Sequence, residues 1–203
     1  MHRHHVIISG TGRAGTTFLV QLLTALKLET GFDDPSCGVL AKCNAGMETD
    51  IRDANVPYIV KSPWLCDHLG EVLRENRVVI DYAIVPMRDL YAAAESRRSV
   101  SRRNTDPTRK QDEVPGGLWH TTVPEAQENV LTGQLYKLFL VLAEYDIPVT
   151  LLHFPRLVKD PEYLYGKIRF LLKGISFDQF LRAFRDVAVP ELVHDFNLNN
   201  ASI

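Results

Sequence analysis

Cysteine is scarce in this chain. Cys37, Cys43 and Cys66 are the three thiols in 203 residues, too few and too scattered for a disulfide framework or a zinc site. They read as thiols of a reducing compartment. A surplus of one charge is also missing. Lys and Arg number 23 against 25 Asp and Glu, a formal net charge of −2, which gives no general attraction to nucleic acid or a membrane surface. No apolar run approaches the ~20 residues of a membrane span. No basic-then-apolar leader precedes the first apolar segment. These absences point to a cytoplasmic protein, nearly complete at its N-terminus, without a nucleic-acid or membrane partner. No repeat, low-complexity tract or linker divides the chain, so one domain is expected over residues 1–203.

What is present is enough apolar residue, 45% of the chain, for a real core. "HHVIISG" (residues 4–10) is a short apolar run ending in glycine, the pattern of a buried parallel strand. "GTTFLVQLLTALKL" then places Phe18, Leu19, Leu22, Leu23 and Leu26 at helical spacing. Residues 29–55 are rich in Gly, Asp and Asn and predict irregular structure. Further strands are expected in "VPYIVKS", "VVIDYAIVPMR" and "IPVTLLHF". Helices are expected at residues 67–75, from Asp89 onward, and at 127–145, 160–172 and 177–184. Residues 103–122 predict a long surface loop of the kind that serves as a lid, and the tail after Pro190 is expected to be loose. Strands alternating with helices imply a three-layer α/β/α fold with a mostly parallel central sheet. Ligands in such sheets bind beyond the carboxyl ends of the strands.

Three segments fall at those ends: residues 10–17, 61–63 and Arg88. The first, "GTGRAGTT", joins a strand to a helix, as a phosphate loop must. Helix N-terminal amides and the helix dipole favour an anion there. Gly10, Gly12 and Gly15 allow close backbone approach, and Thr16 and Thr17 add hydroxyl donors. An ATP-binding loop would carry lysine straight after its second glycine, where this chain has Thr16. The third strand ends in Pro86-Met87-Arg88, a cation where a metal-binding aspartate would be needed. Arg88, with Ser96 eight residues later, could instead clamp a second phosphate, with Arg97 assisting. Arg97, Arg98, Arg102, Arg103, Arg109 and Lys110 crowd one region. That cluster reads as a solvated surface, with an anion site as its alternative.

"SGTGRAGTTF" together with "VPMRDLYAAAES" resembles the sulfotransferases that use 3′-phosphoadenylyl sulfate (PAPS). In that family a Pro-Lys/Arg-Ser-Gly-Thr-Thr loop holds the 5′-phosphosulfate, and an arginine with a serine eight residues on holds the 3′-phosphate. The resemblance implies a P-loop nucleotide-hydrolase-like fold. It also implies that Gly12, Arg13, Ala14, Gly15, Thr16 and Thr17 hold the 5′ end, and Arg88 and Ser96 the 3′-phosphate. Phe18 falls where many members stack a tryptophan on adenine. "VKSPWL" resembles the family's Lys-Ser-Pro strand end and makes Lys61 a candidate for the sulfuryl group. "LLHFPRLVKDPEYLYGKIRFLL" resembles the C-terminal strand and helix of bacterial and tyrosylprotein-type members. The family's C-terminal Arg-Lys-Gly segment is missing.

The implied activity is metal-independent sulfuryl transfer from PAPS to a hydroxyl or amine of a small-molecule, sugar or peptide acceptor. Arg13 and Lys61 would neutralise developing charge, and a base must take the acceptor proton. Pro63 stands where cytosolic members place a histidine base. By the spacing of tyrosylprotein-type members, Asp34 matches the catalytic glutamate and Asp33 is its neighbour. A carboxylate pair can raise one pKa to suit a base; equally, Asp33 and Asp34 can simply form an Asp-Asp-Pro turn. His68 and His120 are weaker candidates. An ATP- and magnesium-dependent kinase, and a nucleotide-binding protein without catalysis, are the alternative functions.

Overall fold

The computed structural model describes residues 2–40, 43, 45–104, 110–193 and 196. Strand β1 (Arg3–Ile8) leads through the glycine loop into helix α1 (Thr16–Ala25). Among the described residues, the stretch expected to be irregular holds a short antiparallel pair, β2 (Val39–Leu40) and β3 (Ala45–Gly46). Strand β4 (Ile59–Lys61) is shorter than "VPYIVKS" suggested, because Pro57 has no amide hydrogen to give a ladder. Helix α2 (Leu65–Arg74) follows, then the long strand β5 (Val78–Met87) and helix α3 (Leu90–Arg102). Asp89 caps α3 by accepting from the Ala92 amide at 2.8 Å.

The chain continues through α4 (Gln127–Glu144), edge strand β6 (Val149–His153) and the single turn α5 (Arg156–Lys159). Asp160 then caps α6 (Pro161–Ile168), which stops short of residue 172. A Ser176–Gln179 capping box starts α7 (Phe177–Val187). The tail expected to be loose makes a tight turn at Pro190–Leu192, with Val193 packed on the core; residues 194, 195 and 197–203 lie outside the described residues.

The chain is an α/β protein with one four-stranded, all-parallel sheet in the order β4–β1–β5–β6. Successive strand side chains point to opposite faces, and each face has its own core. Val6, Ile8, Ile84 and Leu152 pack under α1, α6 and α7, whereas Ile7, Val60, Ala83 and Val85 pack under α2, α3 and α4. The connection from β1 runs to β4 on one side, and the chain then crosses to β5 on the other. The sheet order therefore reverses at β1 and β5, and a crevice opens beyond their carboxyl ends. Among the described residues, no helix is long and apolar enough to cross a membrane.

The first core is anchored by aromatic rings. Phe180 is fully buried and meets Tyr165 at 5.2 Å and Phe184 at 6.1 Å, and Phe184 meets Phe18 edge-on at 5.5 Å. Phe180→Ala is expected to cost about 3–5 kcal/mol of unfolding free energy, read by urea denaturation. A loss below about 1 kcal/mol would mean that the α7 rings do not pin the glycine-loop helix.

Candidate functional site

The glycine loop is held in an unusual backbone shape. Gly12 has φ +64° and Gly15 φ +84°, values open to glycine at little steric cost. A Cβ on Gly12 would lie 2.6 Å from Nη2 of Arg97. Arg13 itself has φ +55°, a conformation uncommon for residues other than glycine that clusters at ligand sites. Gly15 stands at the N-cap of α1 without any side-chain cap, and the first turn carries no acidic residue. The N-terminal amides of α1 thus keep their capacity for an anion.

This loop opens onto a cavity of about 540 Å³ lined by Gly12, Arg13, Gly15, Thr16, Thr17 and Phe18. That volume lies within the ~300–1,000 Å³ usual for small-molecule sites. Ala14 does not line the cavity; its methyl is buried in the first core. Phe18 touches the wall but is mostly core, packed edge-on against Phe184. It is not the open stacking platform implied by the resemblance.

Arg88 and Ser96 join the same cavity. Nη1 of Arg88 donates to the Arg13 carbonyl at 2.9 Å, and Nε of Arg13 donates to Oγ of Ser96 at 3.1 Å. The Arg88 guanidinium also lies 4.8 Å from the centre of the Phe154 ring. The two segments meet because β1 and β5 are paired in parallel register, so their ends arrive side by side.

Arg97, expected to assist Arg88 and Ser96, lines the same cavity. It is buried, with Nε and Nη2 donating to the Thr11 carbonyl at 3.2 and 2.6 Å. Nη1 donates to the Gly117 carbonyl at 2.8 Å, and the Trp119 ring lies 5.0 Å away. It braces the loop from behind. Burial, reinforced by the Arg13 charge, pushes its pKa down to about 9. Arg13 is lowered mainly by burial, with Arg103 adding repulsion. Among the described residues no carboxylate is paired with either guanidinium; their partners are carbonyl oxygens and the Ser96 hydroxyl. Buried positive charge without a counter-charge is costly, and an anion in the cavity would relieve it.

Lys61 also lines the cavity and is buried. Its Nζ donates to Glu48 Oε1 at 2.5 Å, to the Gly46 carbonyl at 2.8 Å and to Thr17 Oγ1 at 3.5 Å. Burial lowers its pKa, partly offset by Glu48. Glu48, which no motif signalled, lines the cavity paired with Lys61, and Asp112 and Glu113 line it as well.

Asp33 and Asp34 are not brought to the site. Both are exposed, and neither lines the cavity. Asp34 Oδ1 accepts from the Ser36 amide at 2.7 Å and the Ser36 hydroxyl at 2.5 Å, and these bonds hold its pKa below the usual carboxylate value. That is the turn reading of Asp-Asp-Pro, and a lowered pKa makes a poorer base.

Of the loop expected at 103–122, residues 105–109 lie outside the described residues; Lys110, Asp112, Glu113 and Pro115 are exposed, whereas Gly117, Leu118 and Trp119 turn inward. Gln111–Glu113 form one tight turn, and Leu118 and Trp119 are buried against the rest of the chain. Gly116, Gly117 and Trp119 wall the cavity. Sequence reading passed over them because neither periodicity nor a motif marks the segment. Three members of the basic cluster are held in ion pairs. Arg98 binds Glu95 and Glu128, Arg102 binds Glu95, and Lys110 faces Glu113; Arg109 lies outside the described residues. His120 pairs with Asp67 at 3.0 Å outside the cavity. No protein-family model matches the chain, and no curated protein is significantly similar to it.

An anion that fills this site would stabilise the fold by mass action, by about 2.7 kcal/mol at a hundredfold excess over Kd. Pyrophosphate at fixed ionic strength is expected to raise Tm above its value in chloride, and Arg13→Gln to remove most of that rise. Equal Tm values in the two salts would rule out an anion site here.

Proposed function

We propose that this chain is a sulfotransferase of P-loop-like α/β architecture that moves a sulfuryl group from PAPS to a hydroxyl or amine acceptor. One observation carries the reading: two phosphate-type motifs, 75 residues apart at Arg13 and Arg88, share a cavity and touch through Arg88 and the Arg13 carbonyl. A kinase loop needs only one such end. A donor with phosphates at both ends of a nucleoside needs two. Arg97 is buried and Arg13 half-buried, and among the described residues neither is paired with a carboxylate, which suits a polyanion of this kind.

In this reading Gly12, Gly15, Thr16 and Thr17 bind the 5′-phosphosulfate through backbone amides and hydroxyls. Arg88 and Ser96 bind the 3′-phosphate. Ala14 contributes only its backbone, and Phe18 only an edge of the wall. Arg13 and Lys61 balance the charge that grows as the bond from sulfur to the phosphate oxygen breaks. The electron pair leaves on that oxygen, and adenosine 3′,5′-bisphosphate is the product. The acceptor oxygen or nitrogen forms the new bond to sulfur.

Glu48 replaces Asp34 as the base and takes the acceptor proton. It lines the cavity beside Lys61. Positioning and charge do most of the work, as in phosphoryl transfer.

Calorimetry with adenosine 3′,5′-bisphosphate in EDTA tests the donor site. Arg88→Ala is expected to weaken that ligand at least tenfold and adenosine 5′-phosphate much less; equal losses would refute the role of Arg88. Turnover of PAPS over a panel of phenols, alcohols, amines and sugars tests the base. Glu48→Gln should lower kcat about 10²–10⁴-fold with unchanged bisphosphate affinity, while Asp34→Asn stays close to the parent. The opposite pattern would return the role to Asp34.

A further inference from the structure

A second cavity of about 570 Å³ lies along the outer edge of β4. Its lining includes Asp50, Arg52, Asp53, Asn55, Ser62 and His68. Glu48 and Trp64 line both this cavity and the first. The carboxylate therefore stands in the wall between a site rich in cations and a second chamber. The segment that forms this chamber is not loose: the Thr49 amide donates to the Lys61 carbonyl at 2.9 Å, and the Lys61 amide donates to Thr49 Oγ1 at 3.2 Å. Those bonds occupy the free edge of β4 and set Glu48 against the Lys61 ammonium.

The chemistry of the second chamber is specific. Trp64 is 49% exposed, so part of its indole surface faces solvent at the junction of the two cavities. Around it are acceptors (Asp50, Asp53), donors (Arg52, Asn55) and hydroxyls (Thr49, Ser62). Asp50 and Arg52 lock each other in place with bonds of 2.5 to 3.1 Å. His68 Nε2 is buried without a hydrogen-bond partner, and burial together with Arg52 lowers the pKa of this ring. Asp50, Asp53 and Glu48 outnumber Arg52, so the chamber does not favour an anionic guest. An aromatic face beside many fixed donors and acceptors matches a ring that is apolar on its faces and hydroxylated at its rim.

We infer that the second cavity is the acceptor site and that it takes a sugar, uncharged or carrying an amine, stacked on Trp64. This rests on the transferase reading above. A hydroxyl of the ring reaches the shared wall, loses its proton to Glu48 and bonds through oxygen to sulfur. The leaving electron pair goes to the 5′-phosphate oxygen of the donor. Arg52, Asp50 and Asn55 set which hydroxyl arrives.

The test uses the full chain with four probes: chitotriose, glucosamine, 4-nitrophenol and an acidic tyrosine peptide. Tryptophan fluorescence without donor reports binding at Trp64, and PAPS turnover reports transfer. Both sugars are expected to shift the fluorescence and be sulfated. Trp64→Leu should abolish the shift and raise the sugar KM at least tenfold, with bisphosphate affinity unchanged. Arg52→Ala should raise the same KM at least threefold, with bisphosphate affinity unchanged. Sulfation of the phenol or peptide with no response to either sugar would overturn the sugar assignment and leave the transferase standing. Sugar binding that survives Trp64→Leu would overturn the placement. Failure to bind the bisphosphate would remove both.

Discussion

Arg97 is the brace on which the site depends. Its guanidinium is buried and spends its donors on the carbonyls of Thr11 and Gly117. One residue of α3 thereby joins the loop after β1 to the segment that walls the cavity from the far side. The same contact explains why residue 12 must lack a side chain, since Nη2 occupies the space that a Cβ would need. It also sets the electrostatics: the Arg97 and Arg13 charges repel, and among the described residues neither guanidinium is paired with a carboxylate, whereas the neighbouring Lys61 is answered by Glu48.

Much of the frame was legible in the sequence because it is written locally. β1 and β5 are short-range apolar patterns, Asp89 is a cap of recognisable type, and α4 follows its periodicity almost residue for residue. The glycine loop and Arg88 with Ser96 could be read as two halves of one site because spacing along a strand–helix unit survives folding. What did not survive was anything that depended on chain crossing itself. Glu48 sits in a stretch with no period, and its place beside Lys61 comes from Thr49 lying along the edge of β4. Trp119 looked like surface loop and is buried under Arg97. Asp34 had the spacing of a base, but spacing in an irregular segment does not specify direction, and it faces solvent beside Ser36.

The proposed function rests on how the two walls differ. The loop side offers amides, hydroxyls and guanidinium groups suited to negative oxygens, with Asp112 and Glu113 further along the wall. The β4 side offers a carboxylate, an indole and paired opposite charges. A group moving from an anion to a neutral acceptor would pass from one to the other at Lys61 and Glu48. The apolar end of the first cavity, formed by Phe154, Val158, Val189 and Leu192, leaves room for a base ring away from the charged end.

The Lys61–Glu48 contact carries one more consequence. Glu48 Oε1 is held by the Lys61 ammonium, which already answers the negative charge of the carboxylate. In the proposed transferase, incoming phosphosulfate oxygens would compete for the same ammonium, and a Lys61 that turned to them would release the carboxylate. Donor arrival would then switch the base on, so that the acceptor side would be inert while the donor side was empty. The ion pair would thus serve as an interlock, imposing an order on the two substrates.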